Sequence, residues 1–251
     1  LLDLPLVTLL GACREAVPLY GSGGFTSLSL AALQAQLAGW VEAGIPRVKM
    51  KVGSDPAEDP VRVRAAREAV GPAAELYVDA NGAYARKQAL TLAGRFDLDS
   101  QVSWLEEPVS SDDLEGLRLI RDRVPGGMEV TAGEYGYHLD YFRRMLAAGA
   151  VDVLQADATR CAGITELLRV GALAAAHHVP LSAHTAPALH LHPLCALPGV
   201  RHLEWFHDHV RIEAMIFEGA PRPEAGVLRP DTTRAGNGLA VRREEAARWA
   251  E

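Results

Sequence analysis

The sequence has 251 residues and a mass of 26.9 kDa, enough for one large domain or two small ones and close to the length of a single (β/α)₈ barrel. Hydrophobic residues at 49% and charged residues at 23% describe a globular chain and argue against disorder. A net charge of −7 with no basic run argues against a nucleic-acid or anionic-membrane partner, and every apolar run breaks before the roughly 18 residues of a membrane span.

The opening Leu-Leu-Asp-Leu-Pro has neither a basic start nor a small-residue cleavage site, so it does not read as a signal peptide. Cys13, Cys161 and Cys195 are far apart and odd in number, which argues against a disulfide framework and a Cys-x-x-Cys zinc site. A reducing cytoplasm is the expected setting.

In chain order, short β-branched runs alternate with Ala/Leu-rich amphipathic stretches. A strand is expected over 17–20 and a helix over 27–42 stopping at Gly44, then a strand over 47–52 and a helix over 60–70 stopping at Gly71. Strands over 75–78, 102–105 and 128–131 precede helices over 85–96, 113–124 and 139–148. Strands over 151–155 and 180–183 precede helices over 164–177 and 189–196, and an eighth strand fits 202–206. Beyond Asp208 the pattern fades into a Pro/Gly-rich tail, closed by a helical stretch over 244–251. Apolar runs of this length suit parallel strands buried on both faces, and regular βα alternation points to a barrel.

Polar residues keep the same beat. Lys51, Asp79, Glu106, Glu134, Asp157, His184 and Glu204 fall one per unit, spaced by 28, 27, 28, 23, 27 and 20 residues. In a parallel barrel, such positions converge on the mouth formed by the C-terminal strand ends. Asp79, Glu106 and Glu134, from three consecutive units, form an all-oxygen set suited to Mg²⁺. Close carboxylates raise one another's pKa, so such a triad calls for a cation.

Of 25 basic residues only Lys49, Lys51 and Lys87 are lysines. Lys49 and Lys51 share one strand face, with Val48, Met50 and Val52 on the other. Burial and a cationic neighbour are expected to depress a lysine pKa toward that of a working base. Asp157 and His184 end consecutive strands, so the carboxylate is placed to orient the imidazole for proton transfer. Tyr84, Tyr135, Tyr137, His207 and His209 are expected to give the mouth a polar rim, with His207 and His209 sharing a strand face. His177 and His178 close a helix, and His190 and His192, two apart on a helix, do not face together.

Val-Lys-Met-Lys-Val (48–52), Val-Asp-Ala-Asn-Gly (78–82), Trp-Leu-Glu-Glu-Pro (104–108), Ala-Gly-Glu (132–134), Gln-Ala-Asp-Ala-Thr-Arg-Cys-Ala-Gly-Ile (155–164), Ser-Ala-His (182–184) and Leu-Glu-Trp (203–205) form an ordered set. This set resembles the mandelate racemase branch of the enolase superfamily, whose barrel is of the TIM-like (β/α)₇β type. The resemblance implies Mg²⁺ on Asp79, Glu106 and Glu134, Lys51 as base at the substrate α-carbon, and Lys49 on the substrate carboxylate. It implies Asn81 as a substrate contact, His184 oriented by Asp157 as the acid/base on the opposite face, and Glu204 hydrogen-bonding the carboxylate. Ala162 departs from the pattern, where relatives usually carry Gly. The resemblance also implies that residues 1–16 correspond to the join to an N-terminal capping domain, 17–210 to the catalytic barrel, and 211–251 to a tail that packs on the cap.

The implied chemistry is abstraction of a carboxylate's α-proton to give an enediolate. Dehydration of a sugar acid to a 2-keto-3-deoxy acid is the expected outcome, with racemisation or epimerisation of a 2-hydroxy acid as the alternative. The expected partner is a small-molecule carboxylate, with homo-oligomers of the chain and neither nucleic acid nor membrane. A zinc hydrolase would call for His-x-His where this chain has Lys-x-Lys, and a non-catalytic barrel fragment predicts decay at positions that are all intact.

Overall fold

The apolar runs become strands covered on both sides, because each is followed by a helix that packs back over it. The computed structural model describes residues 2–249. Its elements are α1 (Leu6–Leu10), β1 (Val17–Gly23), α2 (Leu30–Glu42), β2 (Arg47–Lys51), α3 (Asp59–Val70), β3 (Glu75–Asp79), α4 (Arg86–Ser100) and β4 (Val102–Glu106). They continue with α5 (Leu114–Arg121), β5 (Glu129–Ala132), α6 (Leu139–Ala147), β6 (Val153–Ala156), α7 (Ile164–Ala176), β7 (Leu181–Ala183), α8 (Pro187–Cys195) and β8 (Val200–Phe206). The tail holds α9 (His207–Ile216), β9 (Phe217–Glu218), β10 (Val227–Leu228), β11 (Ala240–Val241) and α10 (Arg243–Ala247).

Strands β1 to β8 pair in sequence order, and β8 returns to β1 from Leu19↔Leu203 to Ser22↔Phe206. The parallel sheet therefore closes as a TIM-like barrel with no free edge. Helix starts follow local chemistry: Ser29 accepts the Ala32 N–H at α2, and Asp113 accepts the Gly116 N–H at α5. Inside the barrel, Tyr20, Tyr77 and Trp104 surround His202, with ring centroids 4.7 to 5.7 Å from the imidazole. This aromatic layer lies one side-chain step below the mouth, since Tyr77, Trp104 and His202 precede Asp79, Glu106 and Glu204 by two residues.

Beyond shifts of one to four residues at several element ends, two regions depart from expectation. Strand β1 runs on past Tyr20 to Gly23, because its glycines let α2 lie directly against it. A Cβ on Gly21 would sit 2.6 Å from the Trp40 ring. The expected fading after Asp208 is also corrected. Helix α9 follows β8, but none of its residues is buried: its apolar Ile212, Met215 and Ile216 line an open groove with Trp249 instead of joining the barrel core.

Residues before β1 include helix α1, which is tied to α8 by the Val7 N–H donating to His192 Nδ1 at 3.2 Å. Arg14 donates to the carbonyls of Leu197 and Val200. The terminal helix covers Arg243–Ala247; of the expected 244–251, residues 250 and 251 lie outside the described residues. Among the described residues, no helix is long and apolar enough to cross a membrane.

Candidate active site

Register brings the first charged groups together. At the C-terminal strand ends Lys51 pairs with Asp79, and Asp79 with Glu106. Glu134 follows β5 by two residues, carried round by Gly133 at φ +135°. A Cβ on Gly133 would lie 2.1 Å from the Gln155 carbonyl oxygen, so the close crossing admits only glycine. One oxygen each from Asp79, Glu106 and Glu134 lies within 4.8 Å of the others, and all three residues are buried.

The lysines compensate part of this charge. Lys49, 1% exposed, places Nζ 2.7 Å from both Glu106 oxygens, 2.9 Å from Glu204 Oε1 and 3.5 Å from Asp79 Oδ2. Lys51 Nζ donates to Asp79 Oδ2. Trp104 Nε1–H donates to Glu106 Oε2 at 3.1 Å, and the Asn81 backbone N–H to Asp79 Oδ1 at 2.9 Å. Asn81 and Lys51 line a cleft of about 370 Å³ with Thr26 and Ser54.

Burial, with Asp79 alongside, nevertheless pushes Glu106 up to about 8. Burial and the nearby Glu134 push Glu107 up to about 9. The cluster thus holds more carboxylate than its lysines neutralise. An all-oxygen, buried, under-compensated triad fits a hard divalent cation.

The expected depression of the lysines is corrected. Burial lowers the Lys51 pKa, Asp79 raises it and Lys49 lowers it; the carboxylates prevail and the group lies above its ordinary value. Lys49 is raised as well, with Glu106 and Glu204 outweighing burial. The physical reason is the same excess of negative charge.

Across the mouth, His184 Nδ1 lies 2.9 Å from Asp157 Oδ2 and its Nε2 lies 3.2 Å from Glu134 Oε2. Asp157 is fixed by Thr159, whose N–H and hydroxyl both donate to Oδ1. Burial lowers the His184 pKa, but its bonds to Asp157 and Glu134 prevail and push it up to about 10. Glu204 lies within β8, not at its end, and its Oε2 accepts the Thr185 N–H at 2.8 Å. Since Lys51 touches Asp79 and His184 touches Glu134, the triad lies between the two groups.

Three rim expectations are corrected. Tyr84 is buried, and its hydroxyl donates to Asp59 Oδ2 at 2.6 Å, so it ties the loop after β3 to the start of α3. His207 and His209 sit on α9 instead of a strand face: His207 pairs with Asp208, and His209 Nδ1 accepts the Ala186 N–H. Tyr135 and Tyr137 are exposed near Glu134. Sequence reasoning missed Arg160, which donates to the Glu134 carbonyl and Oε1 at 3.1 and 3.3 Å and passes 3.9 Å from Asp157 Oδ2. Its place three residues after Asp157 was the available signal.

The profile of the enolase C-terminal domain-like family matches residues 32–246. The L-talarate/galactarate dehydratase of Salmonella typhimurium is 34% identical over 209 residues, 81% of this chain and 52% of that protein. Its crystal structure liganded with Mg and L-lyxarohydroxamate superposes with a TM-score of 0.90 at 32% identity, covering 99% of this chain and 62% of that one. The 3,6-anhydro-alpha-L-galactonate cycloisomerase of Streptomyces coelicolor is 32% identical over 98% of this chain and 66% of its own length. A mandelate racemase/muconate lactonizing enzyme-like protein from Rubrobacter xylanophilus superposes with a TM-score of 0.96 at 57% identity, covering 98% of this chain and 68% of that one. The chain thus spans about half to two thirds of the curated relatives it matches. With the ordered motifs, the closed barrel and these matches in agreement, the chain belongs to the enolase superfamily, among its mandelate racemase/muconate lactonizing enzyme-like members.

Proposed function

We propose that this protein is a Mg²⁺-dependent dehydratase of a sugar acid, an aldonate or aldarate, giving a 2-keto-3-deoxy acid. The observation that carries the reading is the carboxylate triad lying between Lys51 and His184, each in contact with a different member. Asp79, Glu106 and Glu134 would hold the ion, which would supply positive charge against the negative charge that builds on the substrate carboxylate as the α-proton leaves.

Lys51 takes the α-proton at Nζ, for which it must first be neutral. That requires the carboxylate charge now raising its pKa to be compensated. The electron pair left at C2 forms the C2–C3 double bond as hydroxide departs from C3. His184 Nε2 supplies the proton that turns the hydroxide into water, while Asp157 holds Nδ1. The resulting enol tautomerises to the keto acid. Lys49, paired with Glu204 at 2.9 Å, binds the substrate carboxylate; Glu204, held ionised by Lys49 against the effect of burial, hydrogen-bonds that carboxylate only after taking up a proton, and Asn81 lies on the Lys51 side.

The exposed Tyr135 and Tyr137 favour a hydroxylated substrate over an aryl one. A racemase or epimerase would use the same pair of bases, and the similarity to a cycloisomerase supports a third fate for the same first step. A cytoplasmic setting, supported by three free cysteines, and a homo-oligomeric state belong to this proposal. The full-length protein incubated with Mg²⁺ and a pool of aldonic and aldaric acids is expected to produce a carbonyl trapped by semicarbazide. An acid recovered only as its epimer or as a lactone isomer replaces the dehydratase reading with one of the others.

A further inference from the structure

Two histidines of α8, His190 and His192, are both buried, yet they serve different parts of the molecule. His192 accepts the Val7 N–H and anchors α1. His190, with no exposed surface, faces the catalytic side.

Its ring is fixed by two backbone partners. The Ala158 N–H donates to His190 Nε2 at 2.8 Å, so that nitrogen carries no hydrogen. The ring hydrogen is therefore on Nδ1, which donates to the Thr185 carbonyl at 2.9 Å. Ala158 directly follows Asp157, and Thr185 directly follows His184. One neutral imidazole thus joins the residue after the carboxylate to the residue after the acid/base. Burial, which lowers the pKa of His190, keeps it neutral in this role.

The turn it holds is strained. Thr185 and Ala186 are both left-handed, at φ +49° and +39°, a conformation that side chains, and β-branched ones above all, rarely adopt. Three side chains tie the backbone of this turn down, and the Thr185 hydroxyl also donates to Asp157 Oδ2 at 3.3 Å. Glu204 accepts the Thr185 N–H, His190 donates to the Thr185 carbonyl, and His209 accepts the Ala186 N–H at 3.2 Å. Of the three, His190 alone also bonds the Asp157 strand end; its Nε2 lies 3.6 Å from Asp157 Oδ1.

We propose that His190 is a positioning residue, a neutral imidazole of fixed tautomer that aligns the Asp157–His184 pair and so governs proton transfer on the His184 face without touching substrate. The inference rests on the proposed role of His184.

The test uses the full-length, Mg²⁺-loaded protein and three variants. His190→Leu removes both bonds at similar volume, His190→Gln keeps an acceptor near Nε2, and His190→Asn keeps a donor near Nδ1. Nitrogen-15 NMR of the wild type is expected to show a neutral Nδ1–H ring for His190, and His190→Leu is expected to shift the Nδ1 proton of His184. In kinetics, His190→Leu should keep Lys51-catalysed α-hydrogen exchange in D₂O within about threefold while product formation through His184 falls about 100-fold, the cost of a small misalignment. The Gln and Asn variants should each recover part of the loss, and they carry the test if His190→Leu does not fold.

Equal loss in both half-reactions with an unmoved His184 proton, no loss at all, or an Nε2–H ring would each overturn the proposal. If the wild type exchanges no α-hydrogen of any acid, the proposed function fails. The NMR measurements then still decide whether His190 aligns His184.

Discussion

Two layers of the same barrel bury polar groups in opposite ways. At the mouth, Asp79, Glu106, Glu134, Glu204, Lys49 and Lys51 crowd together with an excess of negative charge, and Glu106 is driven up to about 8. One layer below, Tyr20, Tyr77 and Trp104 enclose His202, whose Nδ1 lies 2.8 Å from the Ser182 hydroxyl. Burial, with Arg47 and Arg201, holds His202 well below the ordinary histidine range, so it is neutral. The lower layer is made of neutral groups packed on one another, whereas the upper one holds more carboxylate than its two lysines neutralise and fits a cation. Stability and chemistry are thus divided along the barrel axis, and Trp104 connects them: its ring belongs to the floor and its N–H holds Glu106.

Removing the cation should break the contrast most. Chelation is expected to abolish turnover, and Mg²⁺ returned at about 100 times its dissociation constant should stabilise the fold by about 2.7 kcal/mol in thermal unfolding. An apo protein as active and as stable as the loaded one would contradict the reading of the triad. Next in size, Trp104→Phe keeps the stacked floor but deletes the bond to Glu106. Calorimetric titration should show Mg²⁺ binding weakened about tenfold or more, as for lost partners behind metal ligands. Unchanged affinity would mean the two layers are independent.

The floor has its own pH signature. Because His202 is neutral when folded and an ordinary histidine when unfolded, the unfolded chain alone gains its proton as pH falls below about 6.5. Stability is full above that pH and declines below it, by up to about 1.4 kcal/mol per pH unit for this group. His202→Phe, an aromatic that suits the same cluster, should flatten denaturant-measured stability against pH by one proton's worth. An unchanged slope would place the acid sensitivity elsewhere. The smallest effect is expected at Ala162, where φ is +67°. Ala162→Gly should raise stability by about 1 kcal/mol by relieving the left-handed alanine, with no change in Mg²⁺ affinity.

The mouth was the more legible layer because its chemistry repeats with the chain. Each βα unit sets one ionisable residue at or near a strand end, so Lys51, Asp79, Glu106 and Glu134 stand out by their spacing alone. Residues whose role depends on a tertiary neighbour were not legible. Tyr84 reads as a polar rim residue until Asp59, 25 positions away on α3, claims its hydroxyl. His207 and His209 look like a strand pair because they lie two apart directly after β8, where α9 begins, and His190 looks like a bystander until the Ala158 and Thr185 backbones close on it. The lysine pKa values failed for a related reason. Sequence shows that burial and a like charge are near, but not that Asp79, Glu106 and Glu204 all converge on the two ammonium groups.

The claim that Lys51 is the base acting beside a cation-loaded triad is tested most directly by proton NMR in D₂O. The wild type and Lys51→Ala, both folded and Mg²⁺-loaded, would be followed at the α-hydrogen of each sugar acid. Mg²⁺-dependent loss of that signal in the wild type, slowed about 10³-fold or more in Lys51→Ala, is the predicted result. An α-hydrogen that exchanges equally in both proteins, or in neither, would contradict it.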